Sequence, residues 1–314
     1  MNIKKNVTLA PYTIYKIGGP AEFFIEVKNA QELQEALVFS IDKKISFFVL
    51  GAGSNMLISD RGLKGLAIRI AGGEIKVEEE KMRIDAGVMM ARAVLAAAKA
   101  GLSGFEWGIG VPGSVGGSIR GNAGCFGGEM AQIVTSVRVF EIQNHKIRIF
   151  ELNNEKCEFG YRDSIFKKNS GWIITSVTLK LQKGNKTETG EKIKEITLQR
   201  TQKQDIGSKT CGCVFKNILW DEVGKSKEEV IKNYPELTLF ADRPNISASF
   251  LIDKAGLKGE RMGNIFVSPR HANFLVNEGK GKAEEVRALI EKIKQRVENK
   301  YGLVLEEEIQ YIGF

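Results

Sequence analysis

Histidine is nearly absent from this chain. Two residues in 314, His145 and His271, cannot build a zinc site from several imidazoles. His145 lies in a polar turn; His271, in SPRHANF, suits a structural or a functional role equally. Cysteine is also scarce, and Cys125, Cys157, Cys211 and Cys213 show no framework spacing, which argues against a disulfide scaffold. The pair Cys211-Gly-Cys213 lacks the further ligands a metal centre needs, so no metal is expected. No GxSxG nucleophile elbow occurs. No run of about 18 apolar residues occurs either, so no membrane association is expected. The opening MNIKKNVTLAPYTIYKIGG holds no apolar run of signal-peptide length. The expectation is a cytoplasmic protein with reduced thiols.

The formal net charge of +8 suits a nucleic-acid binder, a protein with anionic ligands, or a lysine-rich proteome. Basic residues are interleaved with glutamate, as in KIKEITLQRTQK and EKIKQRVENK. That is the pattern of solvated helix faces. No zinc-finger, RNA-recognition or basic-arm pattern is present, so no nucleic-acid partner is expected.

Glycine is plentiful and concentrated: eleven of 34 fall in residues 101–128, GLSGFEWGIGVPGSVGGSIRGNAGCFGG. Glycine lets backbone N–H groups approach a ligand closely, and successive exposed N–H groups form nests for phosphate oxygens. The apolar residues of the same stretch, among them Phe105, Trp107, Ile109, Val111 and Phe126, oppose a disordered linker. A second loop, Gly51-Ala52-Gly53-Ser54-Asn55, separates two apolar runs in ISFFVLGAGSNMLIS and reads as strand, tight turn, strand. It has neither P-loop spacing nor the third glycine of a dinucleotide fingerprint. Two donor-presenting loops suggest a large phosphorylated cofactor such as a dinucleotide.

Strands are expected at Tyr12–Ile17, Ala21–Val27, Gly65–Ile70, Lys81–Asp85, Ile133–Phe140, Lys146–Phe150 and Ile173–Lys180. Asn29 caps a helix with Leu33, Leu37 and Val38 on one face, and a second helix runs from Met90 to Ala100 before Gly101. Gln182–Lys186 reads as a turn, and a polar helix spans Gly190–Gln204. Helices follow at Ser249–Ala255 and Ala283–Tyr301, the latter with Val286, Leu289, Ile290, Ile293, Val297 and Tyr301 as a core stripe. Strands around a turn are expected in Gly263–Asn277, and a final strand in LVLEEEIQYIGF. The irregular order indicates an α+β fold.

Three polar features each admit two readings. Arg162 in GYRDSIFK is a surface turn or a site residue. Cys213 in CVFKN is inert core or a reactive thiol. In the terminal LEEEIQYIG, Glu306 and Glu308 share one face of a strand and Glu307 opposes them, as a solvated acidic end or as part of a site.

Taken in order, YKIGGPAEFF, GAGSNMLISD, GFEWGIGVPGSVGGSIRGNAGCFG, YRDSIFK, GCVFKN, LIDKAGLKG, VSPRHANFLVN and LEEEIQYIG span nearly the whole chain. In that order they resemble the MurB family, the UDP-N-acetylenolpyruvoylglucosamine reductases of peptidoglycan synthesis. The resemblance implies an FAD-binding domain of vanillyl-alcohol-oxidase type in two subdomains, residues 1–70 and 71–204, then an α+β substrate domain, 205–314, ending on a catalytic strand. It implies non-covalent FAD, held by Gly51, Ala52, Gly53, Ser54, Asn55, Pro112, Gly113, Ser114, Gly116, Gly117, Asn122 and Gly124. NADPH is the implied co-substrate, reducing the flavin, which then reduces the enolpyruvyl β-carbon of a nucleotide sugar to give UDP-N-acetylmuramate.

By the same resemblance Arg162 and Glu308 stabilise the charge that develops on the substrate carboxylate. Tyr161, Lys216, Asn217 and Lys258 contact the nucleotide substrate. The family's proton donor is usually serine in a GSxFKN-like motif; here Cys213 takes that position, and a thiol can also donate a proton. The stretch from Val177 to Cys211 is short for a tyrosine-bearing lid, which places the chain with a lidless subtype, expected as a monomer. Ile218–Ile246, with Trp220, Pro235 and Pro244, is longer than the usual link and reads as an added surface element. The alternatives are another FAD oxidoreductase of the same fold, such as an alcohol oxidase, or a binding protein that has lost catalysis.

Overall fold

The computed structural model describes residues 1–203 and 207–314. The first unit is a four-stranded sheet in the order Lys4–Thr8, Pro20–Val27, Leu63–Ile70, Phe47–Leu50. The last three strands run parallel, which requires a crossover between them. The helix Ala30–Asp42 supplies one. Asn29 Oδ1 accepts from Glu32 N at 2.9 Å, and Glu32 Oε2 accepts from Lys28 N at 2.8 Å, a reciprocal cap. Leu33, Ala36 and Leu37 then face the sheet. Val38, expected beside them, is 43% exposed.

The second unit is an antiparallel five-stranded sheet: Lys146–Asn153, Val134–Gln143, Trp172–Lys180, Lys81–Asp85, Ile75–Glu78. One face packs on the helix Met90–Lys99 through Met90, Ala93, Val94 and Ala97. From the other face the paired residues Phe140 and Ile173 enter the core of the first unit, so side-chain alternation joins the two sheets.

The third unit is organised by the helix Ala283–Tyr301, whose six-residue stripe is fully buried against Ile265, Val267, Leu275, Leu251 and Ile252. The excursion from Ile218 to Ile246 is part of this core, which corrects its reading as a surface addition. Its ends pair with each other, Ile218 with Ile246 and Leu219 with Asn245. Between them, Val230 on the helix Lys227–Asn233, and Leu237 and Phe240 on a 3-10 turn, are buried. Surrounding Lys and Glu residues conceal these three positions in the sequence. Leu237→Ala is therefore expected to destabilise the protein by about 2–5 kcal/mol, read as a lower urea midpoint; an unchanged midpoint contradicts the packing.

Other departures have local causes. Tyr12–Ile17 is not a strand: Ala10–Tyr12 forms a 3-10 turn, and Thr13 Oγ1 bonds the carbonyls of Ala10 and Ile17, both at 3.1 Å. Tyr15 and Ile17 thereby plug the third core. Gln182–Lys183 pairs with Leu102–Ser103 instead of turning. The polar helix begins at Lys186, because Asn185 Oδ1 accepts from Thr187 N at 2.8 Å; its expected end at Gln204, with the expected boundary at 204–205, lies outside the described residues. The final strand shortens to Gln310–Ile312 and runs parallel to Met56–Ile58 in the first unit.

Candidate active site

The three units enclose a cavity of about 1600 Å³. The two glycine-rich loops form one wall and touch each other. A Cβ on Gly51 would lie 2.5 Å from Ser114 Oγ, and one on Gly113 would lie 2.7 Å from Ser54 Oγ. Gly53 (φ 66°) and Gly113 (φ 124°) occupy backbone conformations that other residues rarely adopt. Among the described residues, no acceptor takes the N–H groups of Ala52, Gly53 or Ser54, and all three residues line the cavity. That is a nest of free donors.

The helix Val115–Arg120 contributes differently. Its first N–H groups are already used, Val115 N by Val88 O and Gly116 N by Ala86 O, both at 2.8 Å. Gly116 permits close packing, since a Cβ there would lie 2.8 Å from Ala86 Cβ. Seven basic side chains and one acidic side chain line the cavity among the described residues: Lys16, Lys44, Arg120, Arg162, Lys167, Arg200, Lys209 and Glu308. Volume, donors and charge fit a large polyanionic ligand such as a dinucleotide.

Pro112, Gly117 and Gly124 line the same cavity, as do Ser114 and Asn55. Asn122 does not. Its Nδ2 donates to Gly160 O and its Oδ1 accepts from Ala131 N, both at 2.9 Å, and it is 1% exposed; it fastens the glycine stretch to the turn before Arg162. Lys258 is exposed, bonds Asp253 at 2.7 Å and lies apart from the cavity.

Arg162, Glu308 and Cys213 come together on the cavity wall. Arg162 has φ 53°, a strained conformation for a side-chain-bearing residue. Its Nη2 donates to Gly124 O at 2.8 Å, its Nε faces Glu308 Oε1 at 3.5 Å, and its guanidinium stacks 5.4 Å from the Tyr161 ring centroid. Lys167 Nζ donates to Arg162 O at 2.6 Å. Burial raises the Glu308 pKa, opposed by the charges of Arg162, Lys167 and Lys216.

Asn55 explains how Glu308 gets there. Asn55 Nδ2 donates to Glu308 O at 3.2 Å, and Asn55 O accepts from Gln310 N at 3.1 Å. The first glycine loop thus holds Glu308 and the end of the chain from 253 residues away. Glu306 and Glu307 diverge as an extended backbone requires: Glu306 bonds Lys216 Nζ at 2.5 Å, and Glu307 bonds Lys294 Nζ at 2.9 Å.

Cys213 is partly exposed toward the cavity. Burial, and then the charge of Glu308, push its thiol up to about 12, so it keeps its proton at neutral pH. Asn273, buried, fixes the following backbone: its Oδ1 accepts from Phe215 N at 2.9 Å and its Nδ2 donates to Phe215 O at 2.8 Å. His271 stacks on Phe274, centroids 4.4 Å apart, and Phe274 bridges Cys213. Tyr161 OH accepts from Asn217 N at 3.3 Å. The Asn217 side chain joins Asn245 to Ala248 N, and its sequence neighbour Lys216 bonds Glu306, so this group is tied to the wall without lining it. All four thiols are free.

Sequence reasoning missed Arg120, Lys167, Arg200 and Asn273. Three lie inside motifs already singled out. Arg200 does not: it belongs to KIKEITLQRTQK, which reads as a solvated face.

Residues 21–148 match the family described as FAD binding domain, and residues 202–312 match UDP-N-acetylenolpyruvoylglucosamine reductase, C-terminal domain. The UDP-N-acetylenolpyruvoylglucosamine reductase of Prochlorococcus marinus is 35% identical over 100% of this chain and 99% of its own. That of Solibacter usitatus is 33% identical over 99% and 97%. The crystal structure of MurB from Thermus caldophilus superimposes with a TM-score of 0.76 at 33% identity, covering 99% of both chains. With full-length identity above 30% and both domain families present in order, the chain belongs to the MurB family of UDP-N-acetylenolpyruvoylglucosamine reductases.

Proposed function

We infer that this protein reduces the enolpyruvyl ether of UDP-N-acetylglucosamine to UDP-N-acetylmuramate, using NADPH as reductant and FAD as cofactor. The observation that carries this reading is the convergence of Arg162, Glu308 and Cys213 on a cavity walled by a free-donor glycine cradle. The N–H groups of Ala52, Gly53 and Ser54 would hold the pyrophosphate of FAD, with Gly113, Ser114 and Gly117 alongside. FAD, when bound, supplies the hydride transfer between NADPH and the substrate's β-carbon.

The side chains handle charge and protons. Reduction of an unsaturated carboxylate builds negative charge on its oxygens, and Arg162 faces that charge as a planar donor. Glu308, biased toward its protonated form by burial, donates a hydrogen bond to the same oxygens. Cys213 supplies the proton for the α-carbon.

Residues 1–70 and 71–204 then act as the cofactor-binding unit and 205–314 as the substrate unit. The stretch 177–211 contains no tyrosine, and most of its described part lies in the strands Trp172–Lys180 and Gln182–Lys183 and the helix Lys186–Lys203, which supports a lidless subtype. A cytoplasmic monomer completes the reading, with a single sedimenting species of 34.7 kDa as the expected result.

The test is anaerobic. The purified protein is expected to be yellow, to bleach with NADPH, and to regain colour on addition of the enolpyruvyl nucleotide. A colourless protein without affinity for FAD overturns the reading, and bleaching without reoxidation by that nucleotide removes the assigned substrate.

A further inference from the structure

We infer that Arg200 is a second receptor for the substrate carboxylate, set beside Arg162 on the short strand Gly124–Cys125; this rests on the enolpyruvyl reading above. The two guanidinium groups are anchored on adjacent residues. Arg162 Nη2 bonds the carbonyl of Gly124 at 2.8 Å, and Arg200 Nη1 bonds the thiol of Cys125 at 3.5 Å. Consecutive Cα atoms lie about 3.8 Å apart, so the two groups converge on one patch of cavity wall.

The Arg200 side chain is held there by its surroundings. It lies flat on Gly110, where a Cβ would come within 2.2 Å of its Cδ. Its guanidinium also sits 5.8 Å from the Phe126 ring centroid. Cys125 is fixed in turn by its contact with Trp107 O at 3.0 Å. A solvated helix arginine needs none of this seating.

Charge balance indicates what is missing. Glu308 opposes Arg162, but among the described residues no carboxylate lies within ion-pair distance of Arg200. Arg162 and Arg200 therefore line the same cavity as Glu308, with Arg200 left, among the described residues, without a carboxylate of its own. A carboxylate has two oxygens, and a second guanidinium can take the one that Arg162 and Glu308 leave. Arg200 also acts electrostatically on Cys213, alongside Arg162, which sets it at the reacting end of the cavity. The nucleotide diphosphate offers the same anionic-oxygen chemistry, so the experiment must separate the two sources.

UDP-N-acetylglucosamine carries the diphosphate without the carboxylate and serves as the control ligand. The flavin-loaded Arg200→Gln protein would be titrated with it and with the enolpyruvyl nucleotide, following calorimetry and the flavin spectrum. The expected result is about a 10- to 100-fold rise in Kd for the enolpyruvyl nucleotide, with an unchanged Kd for UDP-N-acetylglucosamine and unchanged flavin content. Arg200→Lys should recover part of the lost affinity, since it restores charge without the planar fork. Equal weakening of both ligands assigns Arg200 to the phosphates and overturns the proposal, as does loss of flavin or no change for either ligand. A wild-type protein that binds neither nucleotide instead removes the proposed function itself, so the two failures are distinct.

Discussion

Arg162→Met is expected to slow reduction of the enolpyruvyl nucleotide by about a thousandfold while leaving anaerobic bleaching by NADPH unchanged. The guanidinium meets Glu308 at 3.5 Å and Gly124 O at 2.8 Å simultaneously. Only a planar fork spans both directions, so Arg162→Lys should fall between wild type and Arg162→Met. The same substitution moves a pH limb. Burial raises the Glu308 pKa and the charge of Arg162 lowers it, and the hydrogen-bond donor is the protonated acid. The rate of the substrate half-reaction should therefore fall as pH rises through that raised value. Removing Arg162 leaves burial less opposed, so the limb moves to higher pH. Rapid-mixing measurements of each half-reaction across pH provide the check. An equal loss in both half-reactions would assign Arg162 to packing of the cavity wall rather than to the substrate.

Features governed by neighbouring residues are legible in the sequence. The cap at Asn29 and the buried stripe of Ala283–Tyr301 arise within single helices, where the 3.6-residue period and cap chemistry act over a few positions. The glycine loops announced themselves through composition. What escaped depends on contacts distant in sequence. Nothing in GAGSNMLISD indicates that Met56–Ile58 accepts the terminal strand in parallel, or that Asn55 holds Glu308. Asn122, a cofactor contact implied by the family resemblance, is occupied by Gly160 and Ala131. Arg200 was hidden for the opposite reason. Its helix has the charge pattern of a solvated face, and only tertiary packing aims one member of that face at Cys125.

Cys213→Ala is expected to lower the substrate half-reaction by about 10²- to 10⁴-fold, and Cys213→Ser to retain much of the wild-type rate. The argument turns on which form of the thiol is present. An ordinary cysteine thiol, of pKa about 8.5, is a few per cent ionised near neutral pH, and an upward shift removes that fraction. Burial and the charge of Glu308 push Cys213 up to about 12, so the proton to be delivered is in place. A serine hydroxyl, likewise protonated at that pH, fulfils the same requirement with a smaller atom, and Asn273 holds the following backbone in either case. Alanine offers no proton, and water must take over from the open side of the cavity. Two readouts distinguish this from a loss of packing. The alanine variant should bleach with NADPH at the wild-type rate, and its solvent deuterium isotope effect on reoxidation should differ from that of the wild type. The raised pKa also predicts slow alkylation of Cys213 by iodoacetamide at neutral pH, accelerating as pH approaches that value. Reoxidation of the alanine variant at the wild-type rate would remove Cys213 as the donor, leaving Arg162 and Glu308 to act on the carboxylate with solvent as the source of the proton.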